Sequence, residues 1–206
     1  MFSHKEIETG LDKMIENPVC ELNFKSNFEL LVAVVLSAQC TDKRVNLVTN
    51  ELFKTHSKPE DFVNIPLEEL EKKIHSCGFY HNKALAIKSL SYDIIEKFGG
   101  EVPNDFDKLT SLRGVGRKTA NVVLSEGFKQ DAFAVDTHVL RVSNRLGLVK
   151  TKNPNECEFK LKKIFPKDKW SRLHYQMVLF GRYVCKSQKP DCLKCTFKDK
   201  CKNSRI

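Results

Sequence analysis

Residues 112–124 constrain this chain more than any other stretch: Leu112-Arg113-Gly114-Val115-Gly116-Arg117-Lys118-Thr119-Ala120-Asn121-Val122-Val123-Leu124. The Gly-Val-Gly turn lets the backbone bend sharply and lets another backbone come close. Upstream, Phe106, Leu109 and Leu112 recur every three residues, and downstream Ala120, Val123 and Leu124 continue an apolar helical pattern. The segment therefore reads helix, tight turn, helix. The second helix points its first free N–H groups out of the turn, where they can hold an anion such as phosphate. An amine, Lys118, stands just past the turn, and a carboxylate, Asp136, follows 18 positions later.

The chain has 206 residues, of which 41% are hydrophobic and 30% charged, so it has the material for one or two packed domains and is neither disordered nor membranous in composition. Its longest apolar run, Leu30 to Leu36, is too short to span a bilayer. The N-terminal residues Met1 to Glu6 lack the apolar core of a signal peptide, so a cytoplasmic protein with no membrane partner is expected. A net charge of +9 suits a polyanionic partner, although composition alone fits a merely basic soluble protein equally well.

Arg182 to Ile206 holds eight Lys/Arg and two Asp, and so carries most of that charge. The same segment holds Cys185, Cys192, Cys195 and Cys201, while Cys20, Cys40, Cys77 and Cys157 are scattered and read as small buried hydrophobes. Disulfides are disfavoured by the cytoplasmic expectation. Zinc held by four cysteines usually shows two paired knuckles, and only one short pair exists here. The six-two-five spacing suits a [4Fe–4S] cluster better, with zinc as the alternative.

Helical signals run almost without interruption. Ser3 to Glu16 is amphipathic on Ile7, Leu11, Met14 and Ile15. Ser26 is a candidate N-cap for Asn27 to Ser37, which is apolar nearly all round and so reads as a buried central helix. Thr41 caps the next helix, with Val45, Val48 and Leu52 on its face, and Pro66 starts a short one through Leu70 and Ile74. Asn82 to Phe98 carries Leu85, Ile87, Leu90 and Ile94, and Gly99-Gly100 ends it. Thr137 to Gly147, Pro154 to Phe165 and Asp168 to Val184 complete the set, the second without a clear cap. Period-2 alternation is sparse, so the expected class is all-α.

The glycine turn between two helices resembles the helix-hairpin-helix motif, which grips a DNA backbone without reading its sequence. Four further marks accompany it: Leu36-Ser37-Ala38-Gln39-Cys40-Thr41-Asp42, Gly78-Phe79-Tyr80-His81-Asn82-Lys83-Ala84, Val135-Asp136-Thr137-His138 and the terminal cysteine loop. Together they make the chain similar, over nearly its whole length, to the endonuclease III family of DNA glycosylases. The resemblance implies two helical domains with a DNA cleft between them. One is a six-helix barrel over about residues 22–132, with the hairpin motif at about 105–128. The other joins 1–21 to 133–206 and carries the iron–sulfur loop at 185–201. The implied activity is base excision repair: removal of oxidised pyrimidines from double-stranded damaged DNA, followed by strand cleavage at the abasic site, by a monomer working in the cytoplasm on nucleoid DNA.

The residue types support that chemistry. A base inside a duplex is reached only by flipping its nucleotide out. Breaking the glycosidic bond builds positive charge on the sugar, which a carboxylate such as Asp136 stabilises. A neutral Lys118 amine attacks the same carbon to form a Schiff base. The helix N-terminus and Arg117 both disfavour its ammonium form. The resemblance also implies DNA contacts at Gln39, Phe79, Arg113, Gly114, Val115, Gly116 and Arg117. Plainer roles stand beside these. Lys118 alone reads as a surface lysine on phosphate, Asp136 as the N-cap of the helix at Thr137, Phe79 as a core side chain, and His138 as a structural partner rather than a base. Arg113 stands where the family usually has proline, and the basic residues of the cysteine loop either touch DNA or solvate the tail. Two other functions remain open: a monofunctional glycosylase of the same fold, whose adenine-mismatch branch lacks the lysine, and a DNA-binding module without catalysis.

Overall fold

The computed structural model describes residues 2–205, and among them every regular element is a helix. In chain order these are α1 (His4–Met14), α2 (Asn27–Leu36), α3 (Asp42–Leu52), α4 (Pro59–Asn64), α5 (Leu67–Ile74), α6 (Tyr80–Phe98), α7 (Phe106–Ser111), α8 (Arg117–Val122), α9 (Thr137–Arg145), α10 (Pro154–Ile164) and α11 (Trp170–Tyr183). No described helix is long and apolar enough to cross a membrane. The chain divides into two compact units, Glu21–Lys129 and Met1–Cys20 with Gln130–Ile206.

In the first unit, α2 is the central rod. Its residues from Phe28 to Leu36 are all buried, and it packs on α3, α6 and α8. Ser26 caps it as the sequence predicts, accepting from the Glu29 N–H at 3.1 Å, while the Glu29 carboxylate returns a bond to the Lys25 N–H at 2.6 Å. Thr41 caps α3 in the same way. α4 carries no periodic signal in the sequence; the N–H groups of Ser57 and Lys58 just before it are satisfied by Asp61. Its other end is closed by Lys88 of α6, whose Nζ donates to the carbonyls of Phe62, Val63 and Ile65. Gly99 ends α6 in the left-handed conformation that glycine tolerates. Leu85 departs from expectation: it lies two residues from Ile87, on another side of the helix, and is 37% exposed.

In the second unit, α9, α10 and α11 bury one core with α1, built from Ile7, Leu11, Phe133, Val142, Leu161 and Met177. The N-cap of α10, without a clear sequence signal, is Asn153, which accepts from the N–H groups of Asn155 and Glu156. Gly181 of α11 lets α9 come close: a Cβ there would lie 2.9 Å from the His138 Cβ.

Candidate functional site

The hairpin occupies Leu112 to Gly116, between α7 and α8. Leu112 and Val115 are buried and anchor the turn, while Arg113, Gly114, Gly116 and Arg117 are exposed. Its two glycines differ in kind. Gly114 has φ +82°, and a Cβ on it would stand 2.7 Å from the Ala86 Cβ on α6. Both its backbone conformation and its packing therefore demand glycine. Gly116 has φ −90° and open space where a Cβ would go. Nothing within the protein calls for glycine there. The second helix starts directly after it, with Lys118 half-buried in the first turn, and Arg117 places its guanidinium 4.7 Å from the centre of the Phe106 ring. Past Val122 the helix widens into a π-turn over Val123–Gly127, closed by the Phe128 N–H on the Val123 carbonyl.

Two more predicted contact residues lie in the same unit. Gln39 and Phe79 are both exposed, Phe79 by 64%, and both have positive φ, +53° and +48°. A side chain bearing a Cβ costs roughly 1–2 kcal/mol in that conformation. Phe79 is thus not a core side chain. Both are among the four described non-glycine residues with positive φ, with Lys129 and Lys189, and all four are exposed.

Asp136 is half-buried at the start of α9 and caps it, accepting the Val139 N–H at 2.8 Å. Two residues further, His138 is held by Arg141, whose Nη2 lies 3.2 Å from Nδ1. Burial, reinforced by Arg141 and Arg182, pushes its pKa below the ordinary value despite the opposing charge of Asp136. A tethered imidazole suits a structural role.

The four clustered cysteines line one small cavity, partly open to solvent, with Leu146, Phe180 and Val184. None of the eight cysteines is in a disulfide. Among the described residues no three His, Cys, Asp or Glu side chains close on one metal ion. What the four thiols share is this cavity and one another's field. Burial pushes the Cys195 thiol up, and Cys185, Cys201 and Cys192 push the same way. N–H donors already face the sulfurs: Arg145 toward Cys185 Sγ at 3.5 Å and the Phe197 backbone toward Cys195 Sγ at 3.4 Å. Four thiols on one cavity, met by N–H donors, make a sulfur donor set of the kind that holds an iron–sulfur cluster. Sequence reasoning missed the arginines. Arg145 also donates to the carbonyls of Lys186 and Ser187, and Arg141 to those of Cys185 and Gly181, so α9 grips the start of the loop.

Comparison with known proteins agrees with this geometry. Residues 32–167 match the model of the HhH-GPD superfamily of base excision DNA repair proteins. Endonuclease III of Bacillus subtilis (strain 168) is 50% identical, with 100% of this chain and 95% of that protein covered. Endonuclease III of Rickettsia conorii (strain ATCC VR-613 / Malish 7) is 47% identical over 90% of this chain and 88% of its own length. The fold superposes with a TM-score of 0.94 on a trapped endonuclease III–DNA covalent intermediate, at 50% identity over 98% of this chain and 97% of that one. A thermostable thymine-DNA glycosylase shares the fold at 22% identity and a TM-score of 0.83, over 96% of each chain.

Proposed function

The chain belongs to the HhH-GPD superfamily of base excision DNA repair proteins, and from that premise we propose how its residues divide the work of removing a base and opening the strand. It is a DNA glycosylase and abasic-site lyase of the endonuclease III kind. Its substrates are oxidised pyrimidines in double-stranded DNA, and it acts as a monomer on nucleoid DNA. The hairpin N–H groups, flanked by Arg113 and Arg117, hold the backbone, and the bareness of Gly116 gives a phosphate room to approach. Gln39 and Phe79 enter the stack where the flipped nucleotide leaves it.

Asp136 stabilises the positive charge that grows on the sugar as the base departs with the bonding electron pair. The neutral amine of Lys118 forms a bond to the same sugar carbon. Opening of the ring and loss of a nitrogen proton leave an imine, which acidifies the adjacent C2′–H. Loss of that proton expels the 3′ phosphate and breaks the strand. Cys185, Cys192, Cys195 and Cys201 would hold a [4Fe–4S] cluster, which when bound supplies a charged tie among four thiolates.

The observation that carries this reading is Lys118 in the first turn of a helix entered through a glycine that the protein itself does not require. The solved covalent intermediate of a related chain supports an enzyme–DNA bond. Borohydride trapping on a thymine-glycol duplex tests it. Lys118→Ala removes the amine but leaves the hairpin, so the trapped adduct and strand cleavage vanish while duplex affinity stays. Base release without any adduct in the unaltered protein is the mark of a monofunctional enzyme. Binding with neither marks a DNA-binding module.

A further inference from the structure

Lys83, in the first turns of α6, is 6% exposed, and its ammonium is buried. It donates to the Leu36 carbonyl at 2.8 Å and the Cys77 carbonyl at 2.7 Å. Its other polar surroundings are the thiols of Cys77 and Cys40 rather than a carboxylate; burial pushes its pKa down against their opposing pull. Taking a cation out of water costs several kcal/mol unless its bonds are well made. A methionine would fill the same space without that cost, so the charge has to be doing something that volume does not.

The two carbonyls show what. Leu36 is the last residue of α2, and three residues on stands Gln39. Cys77 ends the 3₁₀ turn at His75–Cys77, and two residues on stands Phe79. Each carbonyl thus lies two or three residues before an exposed residue in the left-handed conformation. Beyond Leu36 the backbone is held by tight local turns, Cys40 N–H on the Ser37 carbonyl among them, and the Cys40 thiol meets that of Cys77 beside the Lys83 ammonium. Segments 47 and 6 residues away from Lys83 in sequence are pinned to one nitrogen. Lys88, one turn further along α6, is the internal control. It also spends its ammonium on backbone carbonyls, three of them, but those close α4 and lead into α5, with no strained exposed residue beyond.

We propose that Lys83 is a positioning residue for lesion engagement: its ammonium fixes the Gln39 and Phe79 turns to each other so that both side chains enter the DNA stack as one preformed wedge. This rests on the reading of Gln39 and Phe79 as stack-entering residues. A rigid pair meets the duplex without ordering at the moment of binding, and small misplacements of such groups cost large factors in rate and affinity.

The test compares binding to a duplex holding a tetrahydrofuran abasic analogue beside 2-aminopurine with binding to the same duplex undamaged. The ratio of the two affinities measures lesion engagement, and the 2-aminopurine emission reports unstacking. Lys83→Met is expected to lower the ratio about ten-fold or more and to lose the emission change, while affinity for undamaged duplex holds. Lys88→Met lowers thermal stability but leaves ratio and emission alone. Gln39→Ala and Phe79→Ala each lower the ratio, and adding Lys83→Met to Phe79→Ala lowers it little further, because the wedge is already broken. Should Lys83→Met not fold, Lys83→Gln, whose amide keeps donors for the carbonyls but carries no charge, takes its place with a smaller loss expected. A full ratio in the Lys83 variant beside a lowered one in Phe79→Ala overturns the proposal alone. A full ratio in both Gln39→Ala and Phe79→Ala overturns the wedge reading, and the proposal with it.

Discussion

The hairpin at 112–116 and the cysteine loop at 185–201 are both irregular segments, yet they are held in opposite ways. The hairpin is shaped from within. Leu112 and Val115 plug it into the core, and Gly114 sits against Ala86 so closely that no other residue fits. The loop has far less of its own to fold on. Phe197 is buried against α1, where Gly10 leaves room for its ring, but Leu193 is 72% exposed. Cys185, Cys195 and Cys201 pack only partly against the core, and polar ties reach Arg141, Arg145 and the α1 residue Glu6, the last through Lys200 at 2.8 Å. A hydrophobic anchor makes a segment's shape independent of what it binds. A segment held by thiols and surface charges takes its shape from the group the thiols share.

The largest test of that contrast removes one thiol. Cys195→Ala is expected to lose bound iron, roughly four atoms per chain in the unaltered protein, and to cost about 4 kcal/mol or more of stability, read by iron analysis and thermal melting. Unchanged melting would show that the loop, like the hairpin, holds itself.

Asp136→Asn separates the two roles of the residue at the head of α9. Asparagine caps a helix as well as aspartate does, so melting stays put. Release of thymine glycol falls by about 10²–10³-fold, and cleavage of a preformed abasic site falls much less, because no glycosidic bond remains to break. Equal loss in both assays ties Asp136 to the lyase step instead.

The two hairpin glycines sharpen the comparison further. Gly114→Ala costs about 1–3 kcal/mol of stability through its positive φ and its overlap with Ala86. Gly116→Ala costs under about 1 kcal/mol, as a weaker N-cap, but weakens duplex binding at every ionic strength. Melting and salt-titrated binding of the two variants check this. Loss of affinity without loss of stability in Gly116→Ala marks a surface that meets a ligand.

The smallest effect concerns His138. Burial lowers its folded pKa beneath the ordinary 6.5, so the stability it contributes is present above that value and is lost as pH falls through the folded pKa. Urea melts of His138→Asn between about pH 5 and 7 should show a flatter slope than the unaltered chain.

Much of this was legible from local rules. Ser26, Thr41 and Asp136 each announce a helix start, and each accepts an N–H from its own first turn. The uninterrupted apolar run of α2 reads as burial on all sides, and its residues are buried. What escaped has no local pattern. Six-residue α4 is too short to show a period. Gln39 and Phe79 adopt a glycine-like conformation without being glycine or asparagine, so nothing in their identity marks the turn. Lys83 looks like any helical lysine, because the carbonyl that explains its burial lies 47 residues away. Arg145 is silent for the same reason, 40 residues from the cysteine it faces.

The central claim is that one amine, in the first turn after the hairpin, carries the covalent step. Protease digestion and mass mapping of the borohydride-reduced adduct of the unaltered protein tests it most directly. The expected result is a deoxyribose remnant on the peptide containing Lys118 and on no other. A remnant on another lysine or on the N-terminal amine, with Lys118 unmodified, contradicts it.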